Sequence, residues 1–373
     1  MLPYAKPSEI GLDAQRLQVA YDLLEKWTSG PVPDVPGGVI AVGRHGKLVE
    51  PRFFGRQSPE ADAPPIRRDA MFVLASLSKP ITYLGAMQLV ERGLFNLSDK
   101  VTRHIPDFAA HHKEETLVQH LFTHTSGMPD MLENNAALRK MHAPLSAFIT
   151  AAIRDTVPLF PPGTSYSYQS MGTLVAAELI QRLSGLTIRD YLKREVFDPL
   201  DLKATTLGSR GFDRERIVRL QTPAYQEPSF GWNSPYWHEL GAPWGGLIST
   251  PDEFAVLCQL MLNGGEYRGT RLLAPETVRR MTTNRMEDHP DLPDSIRRKH
   301  RWGLGWKLNS PAQEETLGDL LSSRAYGHLG STGNLFWIDP ERDGFCILFT
   351  SAERARAPWR LVHLSNAVSA AFV

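Results

Sequence analysis

Ile81, Tyr83, Leu84, Ala86, Met87, Leu89 and Val90 are apolar nearly all the way round a helix. A helix without a polar face must be surrounded by protein, so this segment predicts a helix through the middle of a core. The chain can supply that core. Of its 373 residues 42% are apolar and 22% charged, the balance of a globular protein long enough for two closely packed subdomains. Gly93 after Arg92 gives the helix a C-terminal stop. Pro80 falls in its first turn, where backbone amides have no intrahelical acceptor to lose.

The helix opens on Ser76-Leu77-Ser78-Lys79. Positions i and i+3 share a helix face, so the Lys79 amine can reach the Ser76 hydroxyl. A serine alcohol is a weak nucleophile until a base takes its proton. A lysine in the first turn of a buried helix is partly desolvated, which lowers its pKa toward that of a usable base. A surface Ser and Lys on an ordinary helix would show the same four residues, so the pattern needs partners elsewhere.

Residues 13–28 read as an amphipathic helix, with Leu17, Ala20, Tyr21, Leu24 and Trp27 on one face. Gly38 to Val42 and Lys47 to Phe54 read as strands joined by a short turn. Residues 95–300 are mostly helical in pattern, with helices expected at Leu145–Arg154, Met171–Leu183, Ile188–Val196, Pro251–Leu262 and Pro275–Thr282. Strands return at Gly303–Leu308, Ala325–Leu329, Leu335–Asp339 and Phe345–Thr350, before a last helix from Pro358 to Ala371. The charged, proline-containing stretch Glu287–Lys299 reads as an exposed loop. The expected class is α+β: one antiparallel sheet built from both termini, flanked by the terminal helices, with an inserted, mostly helical subdomain. Residues 1–75 with 300–373 would form the sheet subdomain and 76–299 the helical one, with a site at their interface.

Lys+Arg and Asp+Glu both number 41, so there is no net pull toward nucleic acid or anionic membrane. No apolar run is long enough to span a bilayer, and the N-terminus lacks the apolar region of a secretory signal. Cys258 and Cys346 sit in apolar runs and read as buried free thiols, so a cytoplasmic location is expected. His120 and His124 are spaced i, i+4, but Leu121 stands where a zinc protease motif has glutamate, so no metal is expected. There is no G-x-S-x-G elbow, P-loop or dinucleotide fingerprint, and no cofactor is expected.

Two further clusters carry chemistry: Pro161-Pro162-Gly163-Thr164-Ser165-Tyr166-Ser167-Tyr168-Gln169-Ser170, and Tyr326-Gly327-His328-Leu329-Gly330-Ser331. With Ser76-Leu77-Ser78-Lys79, Leu121-Phe122-Thr123-His124-Thr125-Ser126-Gly127 and Trp244-Gly245-Gly246-Leu247-Ile248-Ser249-Thr250, they make five motifs in order. From about Ser8 to the end, the chain resembles the serine β-lactamase-like superfamily in its class C branch, which includes family VIII carboxylesterases, DD-peptidases and D-aminopeptidases. Ser76-x-x-Lys79 matches the S-x-x-K signature. Tyr168-Gln169-Ser170 stands at the Y-x-N position and His328-Leu329-Gly330 at K-T-G or H-x-G.

The resemblance implies Ser76 as the nucleophile, Lys79 and Tyr168 as a coupled base system, and the backbone amides of Ser76 and Ser331 as the oxyanion hole. Both free pKa values lie near 10, and a cationic Lys79 would favour the Tyr168 phenolate. Gly330 would keep the strand clear for substrate, and Trp244 would line the cleft. Two departures bear on substrate. Ser170 replaces asparagine, and His328 replaces a fixed cation with a ring mostly neutral at pH 7. Both suit a small neutral ester better than a β-lactam, so a carboxylesterase of the family VIII type is expected. A β-lactam hydrolase, or an amidase or DD-peptidase with the same residues, is the alternative; a non-catalytic scaffold would have no use for all three of Ser76, Lys79 and Tyr168. Tyr225, Phe230, Trp232, Tyr236 and Trp237 form an aromatic row that either walls an acyl pocket or packs on the helical part.

Overall fold

A computed structural model describes residues 1–209, 211–223, 227–310 and 316–373. Tyr225 of the aromatic row lies outside them. The first helix, α1 (Ala14–Thr28), is capped by the Asp13 carboxylate, which accepts from the Gln15 and Arg16 amides. The hairpin β1 (Gly37–Arg44) and β2 (Lys47–Gly55) follows, and then the short β3 (Phe72–Val73). The central helix α2 (Ser78–Glu91) buries every residue from Ser78 to Leu89. The helical middle includes α3 (Leu145–Arg154) and α4 (Met171–Ser184). After β4 (Thr206–Leu207) and β5 (Leu247–Ser249) comes α5 (Pro251–Leu262). Strands β6 (Lys307–Leu308), β7 (Tyr326–Gly330), β8 (Asn334–Asp339) and β9 (Gly344–Thr350) precede the last helix, α6 (Trp359–Ser369).

The main sheet has the order β2-β1-β9-β8-β7-β6 and is antiparallel throughout, so both ends of the chain build it as expected. Successive side chains alternate between its faces. Val39, Ala41, Ile347 and Phe349 pack inward with the helical part. Ile40, Val42, Cys346 and Leu348 pack outward under α1 and α6, against Leu17, Leu24, Leu361 and Leu364. With both faces covered, β9 is buried from end to end, which explains its unbroken apolar run. Cys258 and Cys346 are buried free thiols.

Three local expectations change. The helix from Ile188 ends at Leu192 and continues to Phe197 as a π-helical turn. The strand expected from Gly303 begins only at Lys307, because Gly303 turns back to bond the Trp306 carbonyl and Gly305 takes a φ of 81°. Glu287–Lys299 is not simply an exposed loop. Leu292 is 1% exposed and joins Met286 and Trp302 in a small apolar cluster packed against Tyr166 and Tyr168, while the charged residues around it face outward.

A second, three-stranded sheet of order β3-β5-β4 joins the chain just before Ser76 to the chain just after Trp244. Thr332 and Asn334 both donate to the Val73 carbonyl, at 2.8 and 2.9 Å. These ties fix the Ser76 turn against the edge of β7.

Candidate active site

Ser76 lies in a single 3₁₀ turn, Ala75–Leu77, that leads into α2. Ala75 holds a left-handed φ of 47°, a conformation that costs an alanine about 1–2 kcal/mol. Ser78 clamps this bend: its hydroxyl donates to the Ala75 carbonyl at 2.6 Å and accepts from the Leu247 amide at 2.9 Å. One residue on, the Lys79 amine donates to Ser76 Oγ at 3.0 Å and to the Trp244 carbonyl at 3.2 Å. Lys79 is fully buried, and burial draws its pKa down to about 7, against a small opposing pull from Asp130.

Tyr168 arrives on a loop held by the Leu121–Gly127 motif. The Gln169 amide donates to His124 Nδ1 at 3.2 Å, and Ser126 Oγ donates to Gln169 Oε1 at 2.6 Å. Gln169 Nε2 in turn reaches the His120 and Leu121 carbonyls. Tyr168 hydrogen-bonds the Ser76 side chain, and Lys79 Nζ sits 4.6 Å from its ring centroid. Burial raises the Tyr168 pKa well above 10, a shift that its bond to Ser76 only partly offsets. The phenolate that a cationic Lys79 would favour is therefore disfavoured by burial. Tyr166, by contrast, is a packed aromatic that accepts from Trp302 Nε1 at 3.0 Å and stacks on His300.

Ser76, Tyr168, Ser170, Trp244, His328 and Ser331 line one cavity of about 600 Å³. Lys79 stands behind Ser76 and Gly330 does not reach the cavity. A Cβ on Gly330 would meet the Leu74 carbonyl at 2.7 Å and Leu77 at 3.1 Å. The glycine thus lets β7 close on the turn that carries Ser76, rather than clearing a path for substrate. His328 is 2% exposed, and its Nδ1 donates to the Leu329 carbonyl at 2.7 Å. Burial, Lys79 and Lys307 hold its pKa well below 6.5, so Nε2 is a bare acceptor, buried and without a partner among the described residues. Ser170 Oγ has no proton left for a substrate carbonyl; it donates to Asp130 Oδ1 at 2.5 Å.

Sequence reading missed four charged residues that line the same cavity: Asp130, Arg139, Lys307 and Arg354. They come from four separate segments, and nothing in their local sequence announces a shared site. Of the aromatic row, Trp232 lines the cavity and Trp237 packs behind it at 4.8 Å, with Trp244 beyond at 6.4 Å. Tyr236 instead bonds the Ala143 carbonyl and stacks on His142. No helix among the described residues is long and apolar enough to cross a membrane.

Residues 29–367 match the family model described as Beta-lactamase. A Salmonella agona (strain SL483) protein named "Putative D-alanyl-D-alanine carboxypeptidase" is 26% identical over 375 residues, covering 91% of this chain and 83% of its own. A penicillin-binding protein homolog from Caulobacter crescentus superposes with a TM-score of 0.78 at 22% identity, over 97% of this chain and 99% of its own. A family VIII carboxylesterase superposes with a TM-score of 0.75 at 18% identity, over 98% of each chain.

Proposed function

The chain belongs to the beta-lactamase family of serine hydrolases, and on that premise we propose that it is a carboxylesterase working through an acyl-enzyme on Ser76. The carrying observation is the 3.0 Å contact between Ser76 Oγ and a buried amine whose pKa is near 7. A base poised near the working pH combines correct protonation with adequate strength. Lys79 takes the Ser76 proton as Oγ bonds to the substrate carbonyl carbon. The oxyanion is received by the Ser76 and Ser331 backbone amides, donors of a kind worth about 3 kcal/mol each. The C–O bond to the alcohol then breaks, and the Tyr168 hydroxyl gives the departing oxygen its proton and is reprotonated from Lys79. Water repeats the sequence on the acyl-enzyme.

Two features favour esters. His328 offers a lone pair where related enzymes offer a cation, and Ser170 is engaged with Asp130. A second reading, hydrolysis of D-amino acid amides with a free carboxylate, is supported by Lys307 and Arg354 on the His328 wall and by the name of the Salmonella relative. A series of p-nitrophenyl esters, nitrocefin and a D-alanyl-D-alanine stem peptide separates them. Ester turnover well above a Ser76→Ala control is expected. No such turnover, with D-alanine release or nitrocefin opening instead, would transfer the assignment to the second reading.

A further inference from the structure

Arg139 is the cavity residue that this chemistry leaves unused. It shares the helical wall with Met131, Asn135 and Trp232. Its guanidinium lies over the Trp237 ring, 4.2 Å from the centroid. That contact occupies one face of the group and none of its N–H donors. Among the described residues it makes no hydrogen bond and no ion pair, and Nε is buried without a partner. Asn135 Oδ1 beside it is also unpartnered. Burial pulls the Arg139 pKa down to about 10, which still leaves it charged at neutral pH. A guanidinium held this way is normally paired, because its donors form a rigid fork that fits a carboxylate. Asp130 does not neutralise it, since its Oδ1 is taken by Ser170 and it forms no ion pair with Arg139 among the described residues.

The direction of the wall identifies which part of a substrate would meet it. The leaving group must depart past Tyr168, whose ring neighbours are Trp302 at 6.0 Å and His328 at 6.1 Å. The wall of Trp232, Trp244 and Arg139 is then left for the acyl group. We infer that the acyl group ends in a carboxylate read by Arg139, with an aliphatic stretch against Trp232 and Trp244 between that end and the scissile carbonyl. This rests on the esterase reading for its direction, so the substrate is a half-ester of a dicarboxylic acid.

The test uses the whole chain and two readouts. Calorimetric titration with glutarate is expected to show binding that glutaramide does not match. Arg139→Met should weaken it at least 10-fold, and Arg139→Lys should do so less. In turnover, the preference for mono-p-nitrophenyl glutarate over p-nitrophenyl butyrate, measured as a ratio of kcat/KM values, should fall at least 10-fold in Arg139→Met. A melt of each variant checks folding. Glutarate binding that survives Arg139→Met, or that is lost in Arg354→Met but kept in Arg139→Met, overturns the inference. If no ester is turned over, the esterase reading fails while the titration still decides whether Arg139 holds the anion.

Discussion

The Ser170 hydroxyl donates a hydrogen bond to Asp130 Oδ1 across 40 residues of chain, at 2.5 Å. This bond brings a carboxylate into the electrostatic field of the two groups that handle the Ser76 proton. Asp130 raises the pKa of Lys79 and of Tyr168, so it opposes burial at the lysine and adds to it at the tyrosine. Asp130→Asn should therefore move the acid limb of the kcat/KM profile to lower pH. A limb that stays in place, or moves up, would rule out this coupling.

The wild-type limb itself reports Lys79. The amine accepts a proton only when neutral, so kcat/KM should rise with unit slope through a pH of about 7 and then level. Lys79→Met should lower kcat by at least about 10³-fold, as loss of a base that acts as one unit with its nucleophile does. The same substitution should raise the melting temperature. The folded pKa lies below the unfolded value of about 10.4, so the unfolded chain binds the extra proton between the two. Wild-type stability from this group thus rises with pH from about 7 to 10.4 and is lowest where the amine is buried as a cation. A melt of Lys79→Met against wild type at pH 6 checks the sign.

The parts of the site legible in sequence are those that local geometry dictates. Ser76 and Lys79 are one helical turn apart, and the all-apolar run behind them already required a buried amine. Tyr168 and His328 became legible through the order of their motifs, because each lies on its own short loop or strand edge. Asp130, Arg139, Lys307 and Arg354 stayed hidden. None stands in a motif, and only the packing round one cavity gives them a common role. The sheet was legible from both chain ends because β1, β8 and β9 are largely apolar runs bounded by turn residues. The strands β3, β4 and β5 were not, since a strand of two or three residues shows no period. The role of Ser78 is hidden for a local reason: its clamp on Ala75 and Leu247 depends on a left-handed φ that sequence does not mark in an alanine.

Gly330 separates a structural reading from a substrate-clearing one. An added Cβ would press on the Leu74 carbonyl at 2.7 Å, which is backbone and cannot swing aside. Gly330→Ala should cost about 1–3 kcal/mol, the usual penalty of overpacking, and should lower kcat by displacing Ser76 from Lys79. A glycine needed only to admit substrate would instead raise KM with the melting temperature unchanged. Steady-state kinetics with a thermal melt on the same preparation distinguishes them.

Buried neutral histidines set the acid limit of the fold. Burial pushes His120 down to about 3, His238 and His289 to about 4, and His124 and His328 well below the ordinary 6.5. In each case the unfolded chain protonates first as the pH falls. Stability from these groups is intact above pH 6.5 and is lost progressively below it, down to about 4 for His238 and His289, and further for His120. Each fully engaged group removes up to about 1.4 kcal/mol per pH unit in that window. The melting temperature should accordingly be nearly flat from pH 7 to 8 as far as these rings are concerned, and should fall steeply from pH 6 to 4.5. His238→Gln is a suitable probe, since the residue does not line the catalytic cavity, Nε2 has no partner among the described residues, and a glutamine can keep the ring's bond to the Trp232 backbone. It should make the acid slope shallower at little cost at pH 8. A slope identical to wild type would mean that this ring titrates alike in the folded and unfolded chain.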